Sequence, residues 1–322
     1  MFCYINIRMV HTNKPCTLIV GPNISLQYTQ LVKCLQSNGV NRASRTIKFA
    51  SGKGVNCARA TMQLGDQCLL MGFLGGTEGH AIHESLNSEG IKTMAVKMLS
   101  DSRVCFTTIY ETIEINDKQQ ASNGFQEIIG ECPTLTMPEA NEFLTIFESE
   151  LSSQRYDKVI VTGTSPTVDG TPISRIIIDK LIEHKFPGVT LDLSESYLSQ
   201  MDIPASWILK INWREFCNIF GGSFQADLEE RKTSLRTAPV SKALLTLEEH
   251  QAIFKVKNQI LDCKPMTVSK VVNSVGAGDV ATASLTHFDR FQLEPKSTLE
   301  KVLYNASESC KNMKPGAFIH EP

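Results

Sequence analysis

Short β-prone runs at 16–20, 68–73, 158–162, 189–193, 207–210 and 242–247 alternate with segments of helical length and period at 54–64, near 80–88, at 138–151 and at 173–184. That rhythm admits few architectures. Parallel strands cannot be joined by hairpins, and a helix is the usual crossover, so helices come to cover both faces of the sheet. The chain therefore predicts an α/β protein with a mainly parallel central sheet. The first run ends at Gly21-Pro22-Asn23, which reads as a turn. The first helix starts at a glycine-rich turn, places apolar residues at 55, 58, 62 and 64, and is closed by Gly65. Segments 23–47 and 104–115 break the rhythm. They are polar and β-branched without a helical period, which predicts a small accessory sheet. There is no repeat of 20 to 50 residues and no low-complexity linker, so residues 1–322 read as a single domain.

Charge narrows the choice of ligand. Lys and Arg number 32 against 34 for Asp and Glu, so no basic field gathers nucleic acid or an anionic membrane, and small molecules are the expected partners. The ten cysteines include no CxxC pair and no metal-type cluster, and they read as reduced and mostly buried. The segment 1–8 has no basic stretch followed by a sustained apolar run, and no apolar run elsewhere is long enough to span a bilayer. A cytoplasmic location is the expectation.

The chemistry is concentrated at 271–279, where a β-branched run ends in Gly276-Ala277-Gly278-Asp279 and leads into the helical segment 280–285. A glycine turn at a helix start leaves backbone N–H groups and the positive end of the helix facing whatever docks there, and phosphate suits both. An acid beside such a cradle can take a proton from an attacking hydroxyl while the amides offset developing charge. The competing reading is that Asp279 only caps the helix. Lys53 lies between two glycines, Gly52 and Gly54, where packing gives no reason for a cation, and with Asn56 it is placed to reach sugar hydroxyls or phosphate. Asn212 and Glu215 follow a strand at a spacing that also suits a capping box.

Together these motifs resemble the PfkB/ribokinase family of carbohydrate kinases. The segment 273–279 is similar to the family's C-terminal signature; 41–43 with 50–59 and 64–65 resembles its glycine-rich sugar-binding segment; 72–79 resembles the stretch that follows. The style is closest to the branch containing 1-phosphofructokinase and tagatose-6-phosphate kinase. The resemblance implies a ribokinase-like three-layer α/β/α core in which 23–48 and 104–128 form a β lid that often mediates homodimers. It implies ATP and Mg2+ as cosubstrate and cofactor, and transfer of phosphate to a ketohexose phosphate (fructose 1-phosphate, fructose 6-phosphate or tagatose 6-phosphate), giving a bisphosphate.

The resemblance also implies roles for particular residues. Asp279 would be the base, with the amides of Gly276, Ala277 and Gly278 as the oxyanion site. Gln27, Ser51, Gly52, Lys53, Asn56 and Arg103 would face the acceptor, Arg103 through forked bonds to its phosphate. Asn212, Glu215, Thr246, Gly276 and Gly278 would face ATP, with Glu215 holding magnesium through water. Three departures from the family pattern leave alternatives open. Gln27 stands where the branch carries an acid, Ser51 replaces a glycine, and Glu248, Glu249 and Gln251 lie where the family has glycines beside the nucleotide. An unphosphorylated sugar or nucleoside acceptor, or a non-catalytic sugar-phosphate binder with impaired nucleotide binding, are the alternatives.

Overall fold

A computed structural model of the chain describes residues 4–5, 15–115, 118–248 and 250–318. Glu249 and most of the 1–8 segment lie outside the described residues. The chain runs through β1 (Tyr4–Ile5), β2 (Cys16–Asn23), β3 (Ser25–Gln36), β4 (Arg45–Ser51), α1 (Lys53–Gln63), β5 (Gln67–Leu74), α2 (Gly76–Ser88), β6 (Thr93–Lys97), β7 (Val104–Ile115) and β8 (Lys118–Ile129). It continues with α3 (Met137–Ser152), β9 (Lys158–Thr162), the small pair β10 (Thr167–Val168) and β11 (Thr171–Pro172), α4 (Ile173–Glu183) and β12 (Val189–Asp192). Then come β13 (Ile208–Asn212), α5 (Trp213–Phe220), α6 (Leu228–Arg236), β14 (Lys242–Leu247), β15 (Gln251–Val256), β16 (Gln259–Cys263), α7 (Ala277–Asp289) and α8 (Pro295–Ser309).

Ten strands form the central sheet in the order β1-β6-β5-β2-β9-β12-β13-β14-β15-β16, parallel from β6 to β14 and antiparallel at both edges. Successive strand residues face opposite sides, as the pleat requires. Leu18, Val20, Val159, Val161 and Leu209 pack under Phe143, Phe147, Ile177 and Phe216 of α3, α4 and α5. Ile19, Leu70 and Ile160 face Val55 and Ala58 of α1 and Ile82 and Leu86 of α2, while Ile208 and Leu244 face Ala281 and Leu285 of α7 and Val302 of α8. These are the expected three layers. The accessory segments pair as a second sheet in the order β4-β3-β7-β8, antiparallel except for β3 with β7.

Gly21-Pro22-Asn23 departs from expectation, since it continues strand β2 with a register irregularity between Val20 and Asn23. The glycine is required for a close crossing: a Cβ on Gly21 would lie 2.6 Å from Gly54 Cα, where α1 passes over the strand. Strands β6, β15 and β16 and helices α6 and α8 escaped the sequence reading, and α2 starts at Gly76, ahead of the apolar period near 80–88.

Candidate active site

Parallel strands deliver their carboxyl ends to one edge of the sheet, the usual place for a ligand in such folds. Asp192 ends β12, Asn212 ends β13, and Thr246, half-buried, is paired in register with Asn212 near the end of β14. Helices α1 and α7 pack together over this edge, which brings Asn56 to Asp279 across 223 residues of sequence.

At the start of α7, Gly276 has φ 87° and ψ −5°, a left-handed conformation that glycine adopts without penalty. No side chain caps the helix. Ala277 N–H donates to Ser274 O at 3.3 Å and Asp279 N–H to Gly276 O at 3.0 Å. Among the described residues, the N–H groups of Gly276 and Gly278 are the ones in this turn left for an anion. Lys210 Nζ lies 2.8 Å from where a Cβ on Gly278 would stand, so the turn is lined by a buried cation as well.

Asp279 is 6% exposed and accepts a hydrogen bond from Asn56 Nδ2 at 2.7 Å. Burial first, and the charge of Asp192 second, push its carboxyl up to about 6, against the pull of Lys53, Lys210 and Asn56. Asp192, fully buried, receives Lys53 Nζ at 2.9 Å on Oδ1 and Lys210 Nζ at 3.3 Å on Oδ2. Burial would raise its carboxyl, but the two lysines and the Thr282 hydroxyl outweigh burial and hold it near 2. Thr282 Oγ1 lies 2.7 Å from Asp192 Oδ2 and 3.0 Å from Gly278 O, which ties the first turn of α7 to β12. The sequence reading named none of Asp192, Lys210 and Thr282 as site residues. The available signal was an ionisable residue inside an otherwise apolar strand, at Val189-Thr190-Leu191-Asp192 and Ile208-Leu209-Lys210-Ile211.

The other residues singled out in the sequence fall in three places. Ser51 and Gly52 lead into α1; Ser51 Oγ lies 3.4 Å from Asn56 Oδ1, and Gly52 has φ 106°. Lys53 pairs with Asp192 and lies 3.7 Å from Glu215 Oε1, and these acids outweigh its burial to hold it firmly protonated. Asn212 and Glu215 cap α5 reciprocally, with Glu215 N–H donating to Asn212 Oδ1 at 2.8 Å and Asn212 N–H to Glu215 Oε2 at 3.0 Å. Glu215 Oε1 remains open toward Lys53.

On the lid, Gln27 Nε2 donates to Thr107 Oγ1 at 3.0 Å, and Ser25 is the residue paired with Ser51 beside Gly52. Arg103 Nη1 donates to Thr164 Oγ1 at 3.2 Å, while its buried Nε has no partner. Asn23 Nδ2 donates to the same hydroxyl at 2.9 Å, and its buried Oδ1 is likewise unpaired. A polar niche with unsatisfied groups of both kinds thus borders the lid. Glu248 is exposed at the turn between β14 and β15, two residues beyond Thr246, and Gln251 donates to Asp262.

Among the described residues no three His, Cys, Asp or Glu side chains converge on a metal position. A magnesium ion carried by nucleotide phosphates and water, with Glu215 Oε1 as its protein contact, fits that donor set.

A buried acid whose carboxyl is pushed up, a glycine turn with two unpartnered amides and two lysines beside it suit phosphoryl transfer. The chain belongs to the pfkB family of carbohydrate kinases, whose family model matches residues 23–289, and it is an ATP-dependent carbohydrate kinase. The tagatose-6-phosphate kinase of Staphylococcus epidermidis is 26% identical over 278 residues, covering 84% of this chain and 83% of that one. A possible 1-phosphofructokinase of Thermotoga maritima has a similar structure, with a TM-score of 0.74 at 20% identity over 93% of each chain. Phosphofructokinase-2 of Escherichia coli, solved with substrates and products, gives 0.72 at 18% identity, covering 93% of this chain and 94% of that one. These structural likenesses establish the ribokinase-like fold.

Proposed function

We propose that this kinase transfers the γ-phosphoryl group of ATP to a hydroxyl of a ketohexose phosphate, giving a bisphosphate. The observation that carries the reading is the Asp279 carboxylate, buried at the glycine turn and held by Asn56. In this mechanism Asp279 takes the proton of the attacking hydroxyl. A carboxyl pushed up to about 6 is a stronger base than an ordinary one and is still largely ionised at neutral pH. The Gly276 and Gly278 amides and Lys210 lie where they offset charge on the transferred group, and Asp192 fixes Lys210 and Lys53 there. Magnesium, when bound with ATP, would neutralise phosphate charge, and Glu215 would hold it through water.

The Arg103 and Asn23 niche supports a phosphorylated acceptor, because a guanidinium with a free buried donor suits a phosphate oxygen. Ser51 and Asn56 then lie along the sugar, with Gln27 on the lid strand above. The whole chain acts as one kinase domain. A homodimer through the lid is supported by the exposed apolar residues Phe106, Phe125, Ile128 and Ile129 of β7 and β8. No helix among the described residues is long and apolar enough to cross a membrane, and their cysteines are all free, as a reducing cytoplasm would keep them. The test is ATP consumption across ketohexose phosphates, free sugars and nucleosides, for the native chain and Asp279→Asn. Turnover confined to ketohexose phosphates and abolished in the variant is expected; turnover undiminished in Asp279→Asn removes Asp279 from the base role.

A further inference from the structure

Arg59 takes no part in the mechanism above, yet all five of its donors are engaged and its side chain is 6% exposed. Nε and Nη2 donate to Glu89 Oε2 and Oε1 at 2.6 and 3.1 Å. Nη2 also donates to Ala50 O at 3.0 Å, while Nη1 donates to Pro315 O and to Asn56 Oδ1 at 3.3 Å. The partners come from the C-cap of α2, the end of lid strand β4, the 315–316 loop that packs on Gly276, and α1.

The two ends of an amide are distinguished by what surrounds them. A guanidinium carries donors and no acceptor, so the Asn56 atom facing Arg59 has to be oxygen. Ser51 Oγ, on the same side at 3.4 Å, supports that orientation. The nitrogen is then turned toward Asp279. With the amide reversed, two acceptor oxygens would meet at the 2.7 Å now spanned by the Asn56–Asp279 bond, and the acid could bind there only when protonated, which would disable it as a base.

We infer that Arg59 is a positioning residue for phosphoryl transfer, holding Asn56 Oδ1 so that the Asn56 amide always donates to the catalytic carboxylate. This rests on Asp279 being the base. The same guanidinium also donates to Ala50 O at the end of β4 and to Pro315 O beside the Gly276 turn, contacts that hold the fold and are read in the melting temperature.

The other charged and titratable groups facing Asp279 are Lys53 and Cys57 from α1, Asp192 from β12 and Lys210 from β13. None of them contacts Arg59, so a double-mutant cycle isolates the Arg59–Asn56 coupling. The variants are Arg59→Lys, Asn56→Ala and the pair, each measured for kcat, KM, the pH profile of kcat and melting temperature. Arg59→Lys is expected to lower kcat roughly tenfold, as for loss of one charge-assisted hydrogen bond, and to move the acid limb of the profile up by about half to one pH unit.

In the Asn56→Ala background the same change is expected to alter kcat less than about twofold, while lowering the melting temperature as much as it does alone. Equal kcat factors in both backgrounds would mean a structural role only and would overturn the inference. If Arg59→Lys does not fold, Glu89→Gln loosens the anchor and leaves Arg59 in place. Its coupling to Asn56 is then expected at roughly threefold, and no coupling overturns the inference. Full turnover by Asp279→Asn would remove the base and this inference together; an inactive Asp279→Asn with uncoupled Arg59 and Asn56 would remove this inference alone.

Discussion

Replacing Asp279 with asparagine separates catalysis from stability, because the structure asks the two to change in opposite directions. The carboxyl is pushed up to about 6 by burial and by Asp192. A carboxyl whose pKa rises on folding binds its proton more tightly in the folded state. The stability this lends is fully present below the unfolded pKa near 4 and is lost as pH rises through about 6. A rise of about two units corresponds to about 3 kcal/mol carried as a penalty by the native chain at pH 8. Asparagine carries no such charge, and its Oδ1 can still accept from Asn56 Nδ2.

Asp279→Asn is therefore expected to be more stable than the native chain at pH 8 by up to about 3 kcal/mol, with the gap roughly halved at pH 5 and closing below about pH 4. For a chain of this length the unfolding entropy is about 0.7 kcal/mol/K, so the melting temperature should rise by about 4 °C. Thermal melts of both proteins at pH 8 and pH 5, alongside ATP turnover, make the test. Turnover should fall by about 100-fold or more, the usual worth of a general base. A variant less stable than the native chain at pH 8, or a gap that does not change with pH, would refute the strained carboxylate.

Asp192→Asn leaves Lys53 and Lys210 facing a neutral amide and is expected to cost about 3–5 kcal/mol, read as a lower urea midpoint; a loss under about 1 kcal/mol would refute its role as their common anchor. Gly276→Ala places a methyl 2.7 Å from Pro315 Cβ at φ 87°. The left-handed conformation alone is expected to cost about 1–2 kcal/mol, with a lower melting temperature and a fall in kcat larger than any change in KM. Arg103→Gln should raise the KM for a ketohexose phosphate by about 10- to 100-fold and leave the KM for ATP unchanged; an unchanged acceptor KM would take Arg103 out of the acceptor site.

The glycine turn, helix α1 and the strand runs were readable because their causes are local. Gly52 and Gly276 need conformations that glycine reaches freely, and the apolar period of α1 spans a few turns. The accessory sheet was readable for the same reason, as polar β-branched stretches that fit no helix. Pro22 misled, because a proline beside a glycine looks like a turn in isolation, whereas here the glycine lets α1 cross β2.

Asp192, Lys210, Thr282 and Arg59 had no such local signature. Asp192 reads as the polar end of a strand, and Arg59 reads as a helix residue within a motif. Their meaning lies in partners far along the chain: Lys53 and Asp192 are 139 residues apart, and Asn56 and Asp279 are 223 apart. Backbone preference and amphipathic period act over a few residues and are written in the order of the amino acids. The pKa of a base, the orientation of an amide and the pairing of buried charges depend on distances of a few ångströms, which exist only once the sheet has brought its carboxyl ends together beneath α1 and α7.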